Sequence, residues 1–576
     1  MKFIQKSNKS IVKFMTKIAI MIVLVFNFNL KAQPGSLDLS FNGNGKFISF
    51  FNGNCRSIAQ QSDGKFILGA SGFYASSVAF SCVRVNTTGT LDNTFGINGL
   101  AEIDITPNFD KCQDIAIQAD DKIVMAGYSN NGTNEDVAIV RLNVDGTIDN
   151  SFGNNGIVTT TVSTFDERVT SIVIQPDGKI VAGGMANTGA SFDFMVIRYN
   201  SDGSLDNTFG INGIVLTDIG SAVYDEIRAI DLQSDGKIIV GGMHDANGYK
   251  FCLARYNTDG TIDNTFGILG RVITAIGSNT GIELNAISIQ NDGKIVAAGT
   301  SDNISTRVFT IVRYDGNGSL DNSFGNLGIV TTAGAFINGY IYSVKIQTDG
   351  KIVAMGYVEF GADNDAAIVR YNSNGTLDNT FGLGGIVFNP IGSTYDFVQD
   401  GILDSNGKII LAGIFDNNIG VARFIGECNL DTTVTKNGII LSSNQIGTHQ
   451  WLDCNNSMTP LFGGTGQTYT PTVNGSFAVQ ISSNGCIDTT ACINITSVGL
   501  NEIEAEDHFK IYPNPTAGEF KISMMKGNYT IVNSIGETVK TIEVENDNEI
   551  VDVKGLKQGI YYVIGKTTKT RIIVTQ

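Results

Sequence analysis

Histidine and tryptophan are almost missing from this chain: three histidines and one tryptophan stand among 576 residues. His244, His449 and His508 fall in separate segments with no nucleophile beside them, so no histidine-assisted nucleophile is legible. The 56 acids include enough carboxylates for a glycosidase or lyase, but nothing in the sequence singles out a pair. No Cys-x-x-Cys pair occurs, which removes the ligand spacing of a structural zinc site. Proline is scarce at 8 residues, and no long helical periodicity appears after the N-terminus. Glycine, by contrast, numbers 67, and Val, Ile, Thr and Phe are plentiful. That balance predicts an all-β protein of short strands and tight turns.

Basic charge is also in deficit, with 39 Lys and Arg against 56 Asp and Glu. Five lysines precede the apolar run "IAIMIVLVF", and "NLKAQ" follows it, which reads as a signal peptide over 1–32 cut before Gln33. The run is shorter than the ~20 residues a bilayer span needs, and no later segment qualifies. Removing the peptide moves the formal net charge from −17 to −23. An acidic surface of this size repels phosphate backbones and anionic lipids, so neither nucleic acid nor a membrane surface is an expected partner.

What the chain does contain is repetition. The turn "GSLDNTFG" recurs with its aspartate at Asp38, Asp92, Asp149, Asp206, Asp263, Asp321 and Asp378, spaced by 54, 57, 57, 57, 58 and 57 residues. A second marker, "DGKI" or a variant, recurs with Gly64, Asp121, Gly178, Gly236, Gly293, Gly350 and Gly407 at its centre. One unit reads as four strands: "VTSIVIQ", a hairpin at "PDGK", "KIVAGG", "FMVIRYN", then the acidic turn and "GIVLTDI". "IVAGG" is apolar on successive positions, so both faces of the sheet are expected to be covered, as in propeller blades. The array opens with the last part of a unit, residues 35–50, and ends at 427 with that part missing. The N-terminal strand is therefore predicted to complete the final blade of a seven-bladed β-propeller spanning 33–427.

Seven arginines, Arg84, Arg141, Arg198, Arg255, Arg313, Arg370 and Arg423, match the seven aspartates. The expectation is one charge-assisted bond per blade: Arg141 with Asp149, Arg198 with Asp206, Arg255 with Asp263, Arg313 with Asp321, Arg370 with Asp378, and Arg423 with Asp38 across the closure. Asn200, Asp202 and Asp206 resemble alternate ligands of a calcium loop, but Asn, Asp and Gly are also what a tight turn requires, so no cofactor is assigned. An aromatic residue precedes an acid at the start of several units: Phe109 and Asp110, Phe165 and Asp166, Tyr224 and Asp225, Tyr395 and Asp396. These form the candidate ligand site on one rim, by ring stacking and hydrogen bonding to sugar. Interblade packing is the alternative use of the same residues.

"DGKIVAGG…RYNSDGSLDNTFGINGIV" resembles the delta-60 repeat of secreted bacterial proteins, a likeness that implies a propeller and no particular activity. Residues 428–497, with "THQWLDCNNS" and "NGCIDTTACINI", resemble the small immunoglobulin-like modules of secreted Bacteroidetes proteins. For that module, disulfides Cys454 with Cys486 and Cys428 with Cys492 are expected, although four cysteines allow three pairings. Cys55 and Cys112 hold equivalent places in successive repeats, which raises a bridge between neighbours. After a linker at 498–507, "FKIYPNPTAGEFKI", the central "GE" and "GLKQGIYYV" resemble the type A C-terminal sorting domain of the type IX secretion system, over 508–576. The likeness implies export through that machinery and release or surface attachment. The chain is thus read as a monomeric secreted or surface-attached binding or adhesion protein, its ligand a glycan or a protein. A polysaccharide-degrading enzyme using rim carboxylates, and a purely structural surface protein, are the competing readings.

Overall fold

The computed structural model describes residues 34–575 except 75–76, 221–223, 246–247, 277–280, 304–305, 335, 362, 428–429, 484–485, 497, 499–509, 524–525, 547 and 567–568. The signal segment at 1–32, most of the expected linker and Cys428 lie outside the described residues. The chain divides into two compact units, one running to Asp431 together with Ile481–Asp488, the other Thr432–Gln480 together with Thr489–Gln576.

The first unit is a β-propeller built from one repeated antiparallel meander. In the unit read above, the strands are Glu167–Ile174, Ile180–Asn187, Phe192–Tyr199 and Ile214–Thr217, hydrogen-bonded in that order. Gly178 takes φ +85° at the hairpin, the left-handed region a side chain would resist. The third strand is buried along nearly its whole length, on both faces, because each sheet lies between two others. Cores form at these interfaces: Val124, Ala126, Val137 and Ile139 of one blade pack with Val169, Ile180, Ala182 and Ile197 of the next. Between blades, the Thr160 and Tyr199 hydroxyls meet at 2.8 Å, Tyr256 donates to Thr217 at 2.8 Å, and Thr332 meets Tyr371 at 2.8 Å. Such bonds satisfy tyrosine hydroxyls that burial would otherwise strand.

The acidic turn ties each blade together. Asp206, 3 % exposed, accepts from the Thr208 amide at 3.0 Å and its hydroxyl at 2.6 Å through Oδ1, and from Arg198 Nε at 2.7 Å through Oδ2. Phe209 is fully buried under the Arg198 guanidinium, 4.5 Å from its ring centre. The same arginine also reaches the following blade, its Nη1 donating to Thr258 O at 2.5 Å. Arg84 to Val144 O, Arg255 to Gly316 O and Arg370 to Gly426 O repeat this second bond. The arginine is therefore a stitch between blades as well as a clamp within one. Arg313 places two nitrogens, Nε and Nη2, each 2.8 Å from Asp321 Oδ2.

The chain's N-terminal part joins the last sheet. Lys46, Phe47 and Ile48 pair with Ala422, Val421 and Gly420, within a sheet that runs from Asp396–Leu403 through Asn418–Phe424 and Lys46–Gln60 to Leu100–Ile103. Asp38, 385 residues from Arg423, accepts from its Nε at 3.0 Å, and Lys408 Nζ lies 3.4 Å away. Arg423 Nη1 donates to Thr87 O at 2.9 Å, the same onward stitch.

The bridge raised between Cys55 and Cys112 is not made. Both are free and buried, as are Cys82 and Cys252, and they pack as small apolar side chains, with Cys55 and Cys112 in different clusters. Burial pushes the Cys55 and Cys82 thiols up to about 12, so they are inert.

In the second unit, Trp451 is fully buried, stacks on Tyr469 at 5.5 Å and donates to Gly466 O at 2.9 Å. The expected pairing of Cys454 with Cys486 is overturned: Cys454 is bonded to Cys492, their Cα atoms 6.3 Å apart. Cys492, so engaged, is not the partner expected for Cys428, which lies outside the described residues, and Cys486 is disulfide-bonded too. The three pairings are equivalent in sequence, and which sulfurs meet is set by how the strands lie. The C-terminal segment forms a three-stranded sheet (Lys510–Tyr512, Glu519–Ser523, Glu549–Asp552) and a four-stranded one in the order Thr538–Val544, Gly527–Asn533, Gly559–Ile564, Lys569–Val574. Phe520, Ile522, Ile531, Val563 and Ile572 fill its core.

Candidate functional site

In its pairing with the second strand of its blade, each inner strand breaks register once, at the same place. Pairing slips between Cys55 and Ser57, Cys112 and Asp114, Val169 and Ser171, Ile227 and Ala229, Leu284 and Ala286, Ile341 and Ser343, and Val398 and Asp400. A bulge leaves one residue unpaired and re-aims its side chain. Those residues are Arg56, Gln113, Thr170, Arg228, Asn285, Tyr342 and Gln399, and all of them line a single cavity of about 280 Å³. The carbonyl two residues before each unpaired residue occupies the space of a missing side chain opposite: a Cβ on Gly184 would lie 1.8 Å from Arg168 O. Gly127, Gly242, Gly299, Gly356 and Gly413 are in the same position, and Ala70 stands there in the first blade.

A second cavity, of about 630 Å³, shares Arg56 and Gln113 and adds Asn54, Lys111, Tyr128 and Asn417. The larger volume belongs to the range of small-ligand sites, and the smaller lies just below it. Tyr342 lines the first cavity and Tyr128 the second. Tyr357 stacks on Tyr340 at 4.9 Å and on Tyr342 at 5.8 Å, and Phe397 meets it edge-on at 5.1 Å. Arg168 and Lys111 lie over Tyr128 at 5.2 and 5.9 Å, and Arg307 over Tyr340 at 5.5 Å.

One layer beyond the bulge, Asp114 accepts from Ser57 Oγ at 2.7 Å, Ser171 Oγ at 3.1 Å and the Ile172 amide at 2.8 Å. Asp400 accepts from the Ile58 amide at 3.1 Å. These carboxylates bridge neighbouring inner strands around the cavity.

The rim residues singled out in the sequence are placed differently from one another. Asp110, Asp225 and Asp396 are fully buried. Asp110 accepts from the Ile105 and Thr106 amides at 2.8 and 3.1 Å, Asp225 from His244 Nδ1 at 2.7 Å, and Asp396 from the Gly392 amide at 2.8 Å. They tie the incoming loop to the blade. Asp166 instead accepts from the Glu135 amide at 3.0 Å, and the buried Glu167 takes the loop-tying place, accepting from the Ser163 amide at 2.7 Å. Phe165 and Tyr395 are nearly half exposed, Tyr395 stacking on Phe397 at 6.3 Å. Tyr224 packs on Phe192 at 5.3 Å, and Lys111 Nζ stands 5.3 Å over Phe109. Sequence reasoning missed the bulge residues altogether. Their signal was a polar position of changing identity at constant offset inside an otherwise repeating strand.

For a cation, Asp202 and Asp206 already serve their own turn, Asp202 accepting from Ser204. The carboxylates of Asp193, Asp218 and Asp225 approach within 4.8 Å of one another, a set with hard-cation character.

These environments give stability a defined pH window. Burial raises Asp114 and Asp396 to about 6 from 3.8. The folded state then holds protons that the unfolded chain releases near pH 4, so stability falls as pH rises from about 4 to about 6. For Asp114 alone that is on the order of 3 kcal/mol. The turn aspartates act oppositely. Burial works against ionisation of Asp206, but hydrogen bonds from Thr208 and Lys179 and the Arg198 charge hold it far below the carboxylate range. Asp149 and Asp263 are alike, and their contribution is lost as pH falls below about 4. Thermal melts are expected to peak near pH 4, with the protein less stable at pH 8 than at 5.5; a plateau from 5.5 to 8 would refute the assignment.

The model of a domain described as DUF5122 beta-propeller matches residues 61–95, 118–152, 175–209, 233–266, 290–324 and 347–381. The model of a secretion system C-terminal sorting domain matches residues 510–575. No curated protein matches the chain. Among solved structures, the chain is similar to the β-propeller domain of the trilobed protease from Pyrococcus furiosus, at 10% identity and a TM-score of 0.36, over 66% of this chain and 95% of that one. It is similar to the polysaccharide lyase Uly1 at 13% identity and a TM-score of 0.40, over 66% and 91%. It is also similar to Sqt1 of Chaetomium thermophilum at 12% identity and a TM-score of 0.38, over 69% and 99%.

Proposed function

From a chain that carries delta-60-type propeller repeats and a type IX secretion C-terminal sorting domain, and is therefore a secreted or outer-membrane surface-attached propeller protein, we propose a non-enzymatic binding role centred on the cavity at the bulged inner strands. The reading takes the ring as seven-bladed over 33–427, with 428–497 as a spacer and 508–576 as the part that engages the export machinery. One observation carries it: a bulge kept in every inner strand presents five kinds of side chain in seven places, arginine and glutamine twice each. A scaffold role repeats its residue in every blade, as Arg198 and Asp206 do, whereas ligand contact calls for a varied set. Tyrosine faces and amide groups around the cavity suit a glycan, by stacking and hydrogen bonding.

The test is a glycan array paired with a reducing-sugar release assay on the secreted chain. Retention of a saccharide class without new reducing ends is expected. New reducing ends would replace the binding role with a degrading one, and a blank array would remove the glycan.

A further inference from the structure

We infer that the glycan is acidic, and that Arg56 and Arg228 hold one of its carboxylate or sulfate groups while a sugar ring lies against the tyrosines beside them. This rests on the binding role proposed above and names its ligand class.

The first ground is where arginine is placed. The chain has thirteen, of which seven are blade stitches. Of the remaining six, Arg56 and Arg228 line the cavity, Arg168 lies over Tyr128 and Arg307 over Tyr340, leaving Arg271 and Arg571 elsewhere. In a mature chain of net charge −23, two of the six non-scaffold arginines thus line one cavity.

The second ground is an imbalance of charge there. Arg168 pairs with Glu135, Arg228 with Glu226 at 2.8 Å, and Arg307 with Glu283 at 2.8 Å. Among the described residues Arg56 has no such carboxylate, and its Nη1 donates to the neutral Gln399 Oε1 at 2.9 Å. Arg228 Nε is buried without a partner. Asp114 and Asp400, one layer deeper, are engaged by the serines and amides around them. Burial and the charge of Arg228 both work against the ionised form of Arg56. A half-buried guanidinium without a counter-charge is costly, and an entering anion removes that cost. Arginine's planar fork matches a carboxylate or sulfate.

The third ground selects a glycan over other anions. In a nucleic acid the phosphate and the stacking base are held apart by the ribose. An acidic sugar residue carries its anion on the same ring whose face can lie against Tyr342, which lines the cavity.

The mature protein should be titrated calorimetrically with oligogalacturonate, a sulfated galactan oligosaccharide, a neutral oligosaccharide of the same length, and free sulfate. An acidic oligosaccharide is expected to bind, about tenfold more weakly at 0.3 M than at 0.05 M salt. Arg56→Gln is expected to lose at least ~30-fold in affinity, and Arg271→Gln to stay within about threefold. Without ligand, Arg56→Gln is expected to melt no lower than wild type, which a structural arginine would not permit. The uronate and sulfated arms tell which anionic group is used. Neutral and acidic sugars binding alike would overturn the acidic assignment and leave the glycan reading standing. Saccharide binding of neither kind would overturn both. Free sulfate binding as tightly as the oligosaccharides, an unaltered affinity in Arg56→Gln, or a lower melting point for that variant would each overturn the assignment.

Discussion

Asp206→Ala is expected to cost the folded protein about 3–5 kcal/mol, a large share of a domain's total stability. Its carboxylate is the common acceptor for Arg198 Nε, for Lys179 Nζ at 3.0 Å, and for the Thr208 amide and hydroxyl. Removing it leaves Arg198, itself 5 % exposed, as a buried cation held only by Thr258 O, a long contact to Thr208 and the ring of Phe209. The loss exceeds that of a surface ion pair because water cannot replace the missing charge. Asp202→Ala, four residues earlier in the same turn but exposed, is expected to stay within about 1 kcal/mol. Denaturant midpoints measured on both variants check the contrast, and equal losses would show that the turn rather than the buried pair sets the effect.

Gly184→Ala is the second large effect, expected at about 3 kcal/mol for a single methyl group in a blade whose inner strand is set for glycine, unlike the first blade, where Ala70 holds this place. Its Cβ would stand 1.8 Å from the Arg168 carbonyl and 2.8 Å from Val169 Cα, atoms of the neighbouring strand rather than a mobile side chain. The inner strand has to retreat, and it carries Arg168 and Thr170 with it. The expected signature is therefore double: a lower denaturation midpoint, and weaker saccharide binding at a temperature where the variant is still folded. Asp206→Ala, acting away from the cavity, is expected to show only the first.

These two substitutions also divide what the sequence made legible from what it hid. The all-β propeller and the arginine–aspartate correspondence were readable because a scaffold contact is needed identically in every blade. The onward bond from Arg198 to Thr258 was not, since its acceptor is a main-chain oxygen whose residue is Thr, Ser, Val or Gly in different blades. The cavity residues were hidden by their function: Arg56, Gln113 and Thr170 share an offset and no chemistry, and the bulge that turns them inward is a property of pairing. Reading acids by their aromatic neighbour failed where it was one residue out, at Asp166, because burial selects the residue that faces the loop, here Glu167. The disulfides failed for a related reason, as spacing along the chain says nothing about which strands lie side by side.

The seam at Arg423 uses the same bonds as every inner junction: a carboxylate partner at Asp38, a ring beneath the guanidinium at Phe41 4.6 Å away, and an onward main-chain acceptor at Thr87. The molecule is thus continuous where the polypeptide is interrupted, and the position of the interruption is arbitrary. Linking the two ends of the array and reopening it at another hairpin, such as Asp177–Gly178, would yield a circular permutant with the same set of junctions. For a lineage of such chains, gene breakpoints can migrate around the ring without any contact being reinvented.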